Sequence, residues 1–231
     1  MSQDPDQRIS TADSLRYWES ISTTVDGMLG GYPHISRVDL KGSANFLAKV
    51  RRAHPPSLSS SGIDSQLRRA VDCGAGIGRV TAGFLTTVCE IVDIVEPIEK
   101  FAEKAKGLNA TGNGSVGNMY VTGLETWQPQ ERYDLIWNQW CLGHLNDQQL
   151  IDHLKRCKES LTIDGWIVIK ENMSTDLEGQ DIFDETDSSV TRAHQKFLNL
   201  FKEADVRLIK TEIQRGFPKS LYPVRMYALR P

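Results

Sequence analysis

Hydrophobic positions change period along this chain: short β-branched apolar runs alternate with stretches in which apolar residues recur every three or four positions. Such alternation predicts a doubly wound α/β sheet. From Gln66 onward the pattern is regular. Strands are predicted at Arg69 to Cys73, Ile91 to Val95, Met119 to Val121, Tyr133 to Asn138 and Trp166 to Lys170 after an Asp164-Gly165 turn. Between them, helical spacing runs through Val80, Phe84, Leu85 and Val88, from Pro97 to about Lys106, and from Asp147 to Leu161. A last helix is predicted over Ser188 to Ala204. A closing antiparallel pair follows, Arg207 to Ile213 with Tyr222 to Leu229.

Before Gln66 the pattern is less even. Residues 1–9 are polar and are expected to fray. Ser10-Thr11-Ala12-Asp13 reads as a helix start, with Leu15, Trp18 and Ile21 at near-helical spacing. Thr24 to Ser36 holds glycines at 27, 30 and 31 and no steady period, so it reads as a loop. Its Met28, Leu29, Tyr32 and Ile35 either fold over a ligand as a lid or pack onto the core. A helix is expected from Ser36 or Asp39 to about Arg52, apolar at Leu40, Phe46, Leu47 and Val50. Residues 54–65, with Pro55, Pro56 and serines at 57, 59, 60 and 61, read as a solvated linker. The expected organisation is a helical extension with lid and linker, residues 1–65, and one α/β domain, residues 66–231.

Composition narrows this picture. With 231 residues, 39% hydrophobic and 25% charged, the chain suits one well-buried α/β domain plus an appendage. A net charge of −3 offers no general attraction to polyphosphate, which disfavours nucleic acid as a direct ligand. No apolar run reaches membrane length and no signal-peptide pattern opens the chain, so a soluble intracellular protein is expected, with cytoplasm or nucleus left open. Cys73, Cys89, Cys141 and Cys157 lie in or beside apolar runs without a C-x-x-C pair, which predicts buried reduced thiols and no metal site.

Chemistry enters at Asp72-Cys73-Gly74-Ala75-Gly76-Ile77-Gly78-Arg79. A strand flowing into such a turn lets backbone N–H groups approach a ligand with no Cβ in the way, although similar turns occur where nothing binds. Glu96 ends the next strand 22 positions beyond Gly74. That is near the roughly 20-residue offset at which a carboxylate accepts from ribose hydroxyls. A dinucleotide site would want G-x-G-x-x-G, whereas here G-x-G-x-G is followed by Arg79. Ligands of open α/β sheets lie outside the carboxyl ends of the strands. Gln139, Trp140 and His144 follow the fourth strand; Asn172 and the acidic Asp176, Glu178, Asp181, Asp184, Glu185 and Asp187 follow the fifth. Taken singly, Trp140 and His144 suit the core as well as a site, and an acidic run suits a solvated loop. Beside a cofactor, the same carboxylates would attract a cation and reject phosphates.

The compressed glycine turn resembles the first motif of class I S-adenosylmethionine-dependent methyltransferases. More specifically, Tyr17-Trp18, Thr24 to Ser36, Trp137 to Leu145, Lys170 to Met173, Asp184 to Arg192 and Leu221 to Leu229 resemble the α-N-terminal protein methyltransferase family, which acts on proteins beginning Xaa-Pro-Lys. The resemblance implies a Rossmann-like, mostly parallel seven-stranded sheet with helices on both faces, and S-adenosylmethionine as cofactor. It implies cofactor contacts from Gly74, Gly76, Arg79, Glu96, Pro97, Leu124 and Gln139, the Arg79 fork pairing with the cofactor carboxylate. It implies a peptide channel of Tyr17, Trp18, Ile35, Trp140, Asn172, Asp184, Ser189 and Tyr222, with Asp187 and His144 as proton acceptors. The partners implied are N-terminal segments of ribosomal and chromatin-associated proteins, met by a monomer. Pro33, Glu96 and Ser220 depart from the family's usual glycine, aspartate and acid.

Terminal methylation sets a chemical requirement. A protein α-amine with a pKa of about 7.7–8.0 is mostly ammonium near neutral pH, so a carboxylate or imidazole must remove its proton. Indole faces attract the cation whether or not it is already methylated. The residues by themselves also allow a methyltransferase of the same fold acting on another amine, a small molecule or RNA, and a cofactor-binding protein that transfers nothing.

Overall fold

Parallel strands are stable only when both faces are covered, and their near-continuous apolar runs meet that condition here. In the computed structural model, which describes residues 4–55, 66–108 and 112–231, β1 (Leu67–Cys73), β2 (Cys89–Val95), β3 (Ser115–Tyr120), β4 (Tyr133–Gln139) and β5 (Leu161–Asn172) form a parallel set. A separate hairpin, β6 (Ile182–Asp184) with β7 (Ser189–Thr191), stands apart from it. The chain closes with β8 (Arg207–Ile213) and β9 (Val224–Arg230), and β9 returns antiparallel along β5. The sheet order is β3-β2-β1-β4-β5-β9-β8, seven strands with β9 running against the rest.

Helices cover both faces. They are α1 (Thr11–Ser20), α2 (Val25–Met28), α3 (Ser36–Ala53), α4 (Thr86–Val88, continuing a π-helical turn over Thr81–Leu85), α5 (Glu99–Lys106), α6 (Asp147–Glu159) and α7 (His194–Glu203). On one face Leu150 and Leu154 of α6 and Phe197 and Phe201 of α7 pack with Ile136, Ile167 and Tyr227. On the other, Phe46, Leu47 and Val50 of α3 pack with Phe84, Trp137, Trp166 and Val168. Each such side chain contributes about 1.5–3 kcal/mol by leaving water. That holds α3, although it precedes the cofactor domain in sequence, as part of the same core.

Five local expectations are corrected. The tail from Asp4 does not fray. Residues Pro5–Arg8 form a 3₁₀ turn, Asp6 is buried and accepts from the Asp147 N–H at 3.1 Å, and Arg8 pairs with Glu185 at 2.8 Å while lying over Phe183. The predicted helix over Ser188 to Ala204 is instead a strand followed by a helix: Ser188 has φ 55°, which ends any helix, and β7 pairs with β6 before α7 starts at His194. Leu161 does not close α6 but opens β5, which passes through Asp164-Gly165 with a register shift against β4 instead of turning there. The Thr24 to Ser36 segment is not wholly irregular either, since Thr24 caps α2 by accepting from the Gly27 N–H and Pro33–Ile35 forms a 3₁₀ turn. β3 begins earlier than predicted, at Ser115, and ends before Val121. All four cysteines are buried free thiols, as their apolar settings predicted. Of the predicted linker, residues 56–65 lie outside the described residues.

Candidate functional site

The strand order reverses between β1 and β4, and the loops leaving those two strands face each other across that crevice. The β1 loop turns through Gly74, Gly76 and Gly78 with φ of 64°, 57° and 75°, values that disfavour any side chain. Space forbids one as well. A Cβ on Gly74 would collide with that of Cys141 in the β4 loop, and one on Gly76 would lie 2.7 Å from the sulfur of Met28 in α2. Glu96 fixes the turn from the end of β2, its Oε2 accepting from the Gly76 N–H at 2.7 Å and its Oε1 from the Ile98 N–H at 2.8 Å.

All seven residues expected at the cofactor line one cavity here, Gly74, Gly76, Arg79, Glu96, Pro97, Leu124 and Gln139, together with apolar Ile98 and Phe101. Three of their side chains have further duties inside the protein. Arg79 pairs with Asp39 at 2.8 Å, and Gln139 donates to both Asp39 oxygens at 3.0 Å while accepting from the Trp137 indole at 3.0 Å. Glu96 spends one lone pair of each oxygen on the backbone, which leaves a second on each for a ribose hydroxyl. Burial pushes Glu96 up from 4.5 to about 7, against the two backbone bonds and with the charge of Asp72 adding to the rise. Burial likewise raises Asp72 from 3.8 to about 6, opposed by the Thr81 hydroxyl and Arg79.

Asp39 was not anticipated. It reaches in from α3, fully buried, and meets two cations, Arg79 and the equally buried Lys170 at 2.5 Å. Asp39 holds Lys170 behind the site and fixes Arg79 at the cavity wall, where the guanidinium also faces the buried Asp72. The helix pattern held a signal for it: Asp39 and Ser43 fall in line with Phe46 and Val50, polar residues on an otherwise apolar stripe. Glycines that admit backbone contact, a carboxyl with lone pairs to spare for hydroxyls, apolar walls and a guanidinium in the wall fit S-adenosylmethionine.

A second cavity lies against the first. Tyr17, Trp18, Ile35, Trp140, His144, Asn172, Asp187, Ser189 and Tyr222 line it, so nearly every residue expected on the acceptor side is brought together. Asp184 is the exception: it lies on the exposed β6–β7 hairpin, accepts from the Thr186 N–H at 2.8 Å and lines neither cavity. Burial raises the Tyr17 phenol, with the charges of Asp187 and then Asp184 adding to it, so the Asp184 charge is felt at a residue lining the cavity. Trp18, Met28, Trp140 and His144 belong to both cavities and form the wall between them.

His144 is fixed at both ring nitrogens. The Trp18 indole N–H, a donor only, donates to Nε2 at 3.1 Å, and Nδ1 lies 2.8 Å from the Ser14 hydroxyl. The neutral ring therefore carries its proton on Nδ1. Burial lowers the His144 pKa from 6.5, with Asp187 opposing, which keeps the ring neutral near pH 7. Asp187 Oδ1 and the Trp140 Nε1–H, by contrast, are buried with no hydrogen-bond partner among the described residues.

A glycine turn at the switch point, an acid closing β2, a cation beside the cavity and a second cavity across one aromatic wall define a class I S-adenosylmethionine-dependent methyltransferase. The family model described as AdoMet dependent proline di-methyltransferase matches residues 6–230, and the chain belongs to that family. It is 44% identical to alpha N-terminal protein methyltransferase 1 of Schizosaccharomyces pombe, over 99% of this chain and 98% of that protein. Identity to N-terminal Xaa-Pro-Lys N-methyltransferase 1 of Mus musculus is 41%, over 97% of each. A solved structure of a SAM-dependent methyltransferase from Leishmania major superposes with a TM-score of 0.83 at 37% identity, covering 95% of this chain and 82% of that one.

Proposed function

We propose that this chain methylates the terminal α-amine of proteins beginning Xaa-Pro-Lys, the substrates for which several of its relatives are named. One observation carries the reading: an unpartnered, buried carboxylate oxygen, Asp187 Oδ1, at a cavity that shares its indole and imidazole wall with the cofactor cavity. S-adenosylmethionine, when bound, supplies a methyl group on a sulfonium sulfur, transferable to a nitrogen lone pair. The acceptor cavity must expose that lone pair. Asp187 is the proton acceptor in this reading, since its Oδ1 has no hydrogen-bond partner among the described residues, whereas both His144 nitrogens are engaged by Trp18 and Ser14. His144 instead holds Trp18 in the wall. Trp18 and Trp140 supply faces that attract an ammonium at any methylation state by about 0.5–2 kcal/mol. Asp184, exposed on the β6–β7 hairpin and with its charge felt at Tyr17 of the cavity, is the carboxylate assigned in this reading to a lysine at the third position.

The test is mass spectrometry of a Ser-Pro-Lys peptide after incubation with S-adenosylmethionine, beside the same peptide with its amine blocked. Methyl increments are expected on the free peptide alone; increments on both would end the assignment to the terminus. Asp187→Asn should lower kcat by about 10²–10⁴, the usual contribution of a positioned base, with S-adenosylhomocysteine affinity unchanged. A matching loss of cofactor affinity would remove Asp187 from the acceptor side.

A further inference from the structure

We propose that Glu171 and Arg192 are positioning residues that clamp the turn between β4 and α6, and that the clamp holds Trp140 and His144 in the wall between the cavities. The proposal rests on the acceptor reading of the second cavity. The turn does much at once: Trp140 and His144 form the wall, and Cys141 abuts Gly74 of the cofactor loop. Yet it is weakly held by itself. Its internal bonds, His144 N–H to Cys141 C=O and Leu145 N–H to Leu142 C=O, are long at 3.3 Å. Trp140 also sits at φ 55°, a conformation that costs a non-glycine residue about 1–3 kcal/mol and persists only where its surroundings impose it.

The surroundings do so from both ends. Glu171, 6% exposed at the end of β5, accepts the N–H groups of Cys141 and Leu142 on one oxygen, both at 2.9 Å. Arg192, 1% exposed just after β7, donates to the C=O of Leu142 at 2.9 Å and of Leu145 at 2.6 Å, and its Nε donates to Asp147 at 3.0 Å. These external bonds are shorter than the internal ones and involve ionisable groups, which roughly doubles the strength of a hydrogen bond when the group is charged. The turn's shape is therefore dictated by a carboxylate on its N–H side and a guanidinium on its carbonyl side. Without them the turn beyond Trp140, whose own N–H stays on the Lys170 C=O at 3.1 Å, is left to its long internal bonds, and His144 loses its line to Trp18 and Ser14.

Glu171→Met removes the acceptor at similar volume, Glu171→Gln keeps an oxygen that can accept both N–H groups, and Arg192→Lys keeps a charge but not the fork. Each is assayed with the Ser-Pro-Lys peptide well below its melting temperature, with S-adenosylhomocysteine titration and ¹⁵N NMR of the His144 ring. Expected are a kcat loss of about tenfold or more for Glu171→Met and Arg192→Lys, cofactor Kd within threefold, and an averaged His144 tautomer. Glu171→Gln should return kcat to within threefold of the parent. Unchanged kcat with a lower melting temperature in both disruptive variants would reduce the pair to ordinary packing, as would a glutamine variant as impaired as the methionine one. Should Glu171→Met fail to fold, Arg192→Lys carries the comparison. A parent chain that leaves the peptide unmethylated defeats the functional reading instead; the His144 signal of the variants then decides the clamp by itself.

Discussion

If ribose hydroxyls of the cofactor donate to Glu96, cofactor binding depends on pH, and Glu96→Gln isolates that dependence. The carboxyl is 5% exposed and is raised from 4.5 to about 7, chiefly by burial. Ribose hydroxyls donating to it favour the ionised form, so binding lowers its pKa and releases a proton. Affinity should consequently be highest above pH 7 and fall below it, by up to about tenfold for each pH unit. If binding returned the group all the way from about 7 to 4.5, the linkage would amount to roughly 3 kcal/mol, which is an upper bound. The ligand-free protein should show the opposite trend. A carboxyl raised on folding adds stability that is complete below its unfolded value and is lost as pH climbs through the folded one, here from 4.5 to about 7. Titration calorimetry with S-adenosylhomocysteine from pH 5.5 to 8.5, in two buffers of different ionisation enthalpy, reads both Kd and protons released. In Glu96→Gln the amide leaves one loop N–H unpaired, which costs about 1–3 kcal/mol, and binding should be weaker with a flattened pH profile. A parent Kd independent of pH across this range, or an unchanged slope in the glutamine variant, refutes the assignment of Glu96 to the ribose.

Trp18→Phe keeps an aromatic ring but removes the indole N–H that fixes His144. The expected result is a mixed His144 tautomer by NMR and a severalfold rise in peptide KM with cofactor Kd little changed; a ring still held on Nδ1–H would show that Ser14 alone fixes it. Asp39→Ala strips the counterion from two buried cations, Arg79 and Lys170. Removing one partner of a buried pair destabilises by about 3–5 kcal/mol. For a chain of this size that is a fall in Tm of roughly 6–20 °C, read by calorimetry, together with weaker cofactor binding. A shift under about 2 °C would mean that water, not Asp39, balances those charges.

Much of this protein was legible in its residues before any coordinates. Strands such as Ile91–Val95 and Tyr133–Asn138 are short apolar runs whose burial on two faces is a property of local composition, and the Gly74–Gly78 turn is a conformational requirement that glycine alone announces. Gly74, Gly76 and Glu96 are picked out by those two facts, because a parallel sheet places its ligand at the carboxyl ends of its strands, whereas Arg79, Pro97, Leu124 and Gln139 are picked out only by resemblance to a known family. What local pattern could not supply were partners distant in sequence. The tail through Arg8 is ordered by a hairpin 177 positions away, and Ser188 leaves the helical register because β7 pairs with β6. The pairing of Asp39 with Arg79 and Lys170, the tautomer of His144 and the grip of Glu171 and Arg192 on one turn are likewise settled by hydrogen bonds between segments brought together only on folding. Periodicity reports how much of a side chain leaves water; which charge or lone pair it meets there is set by the packing of the whole chain.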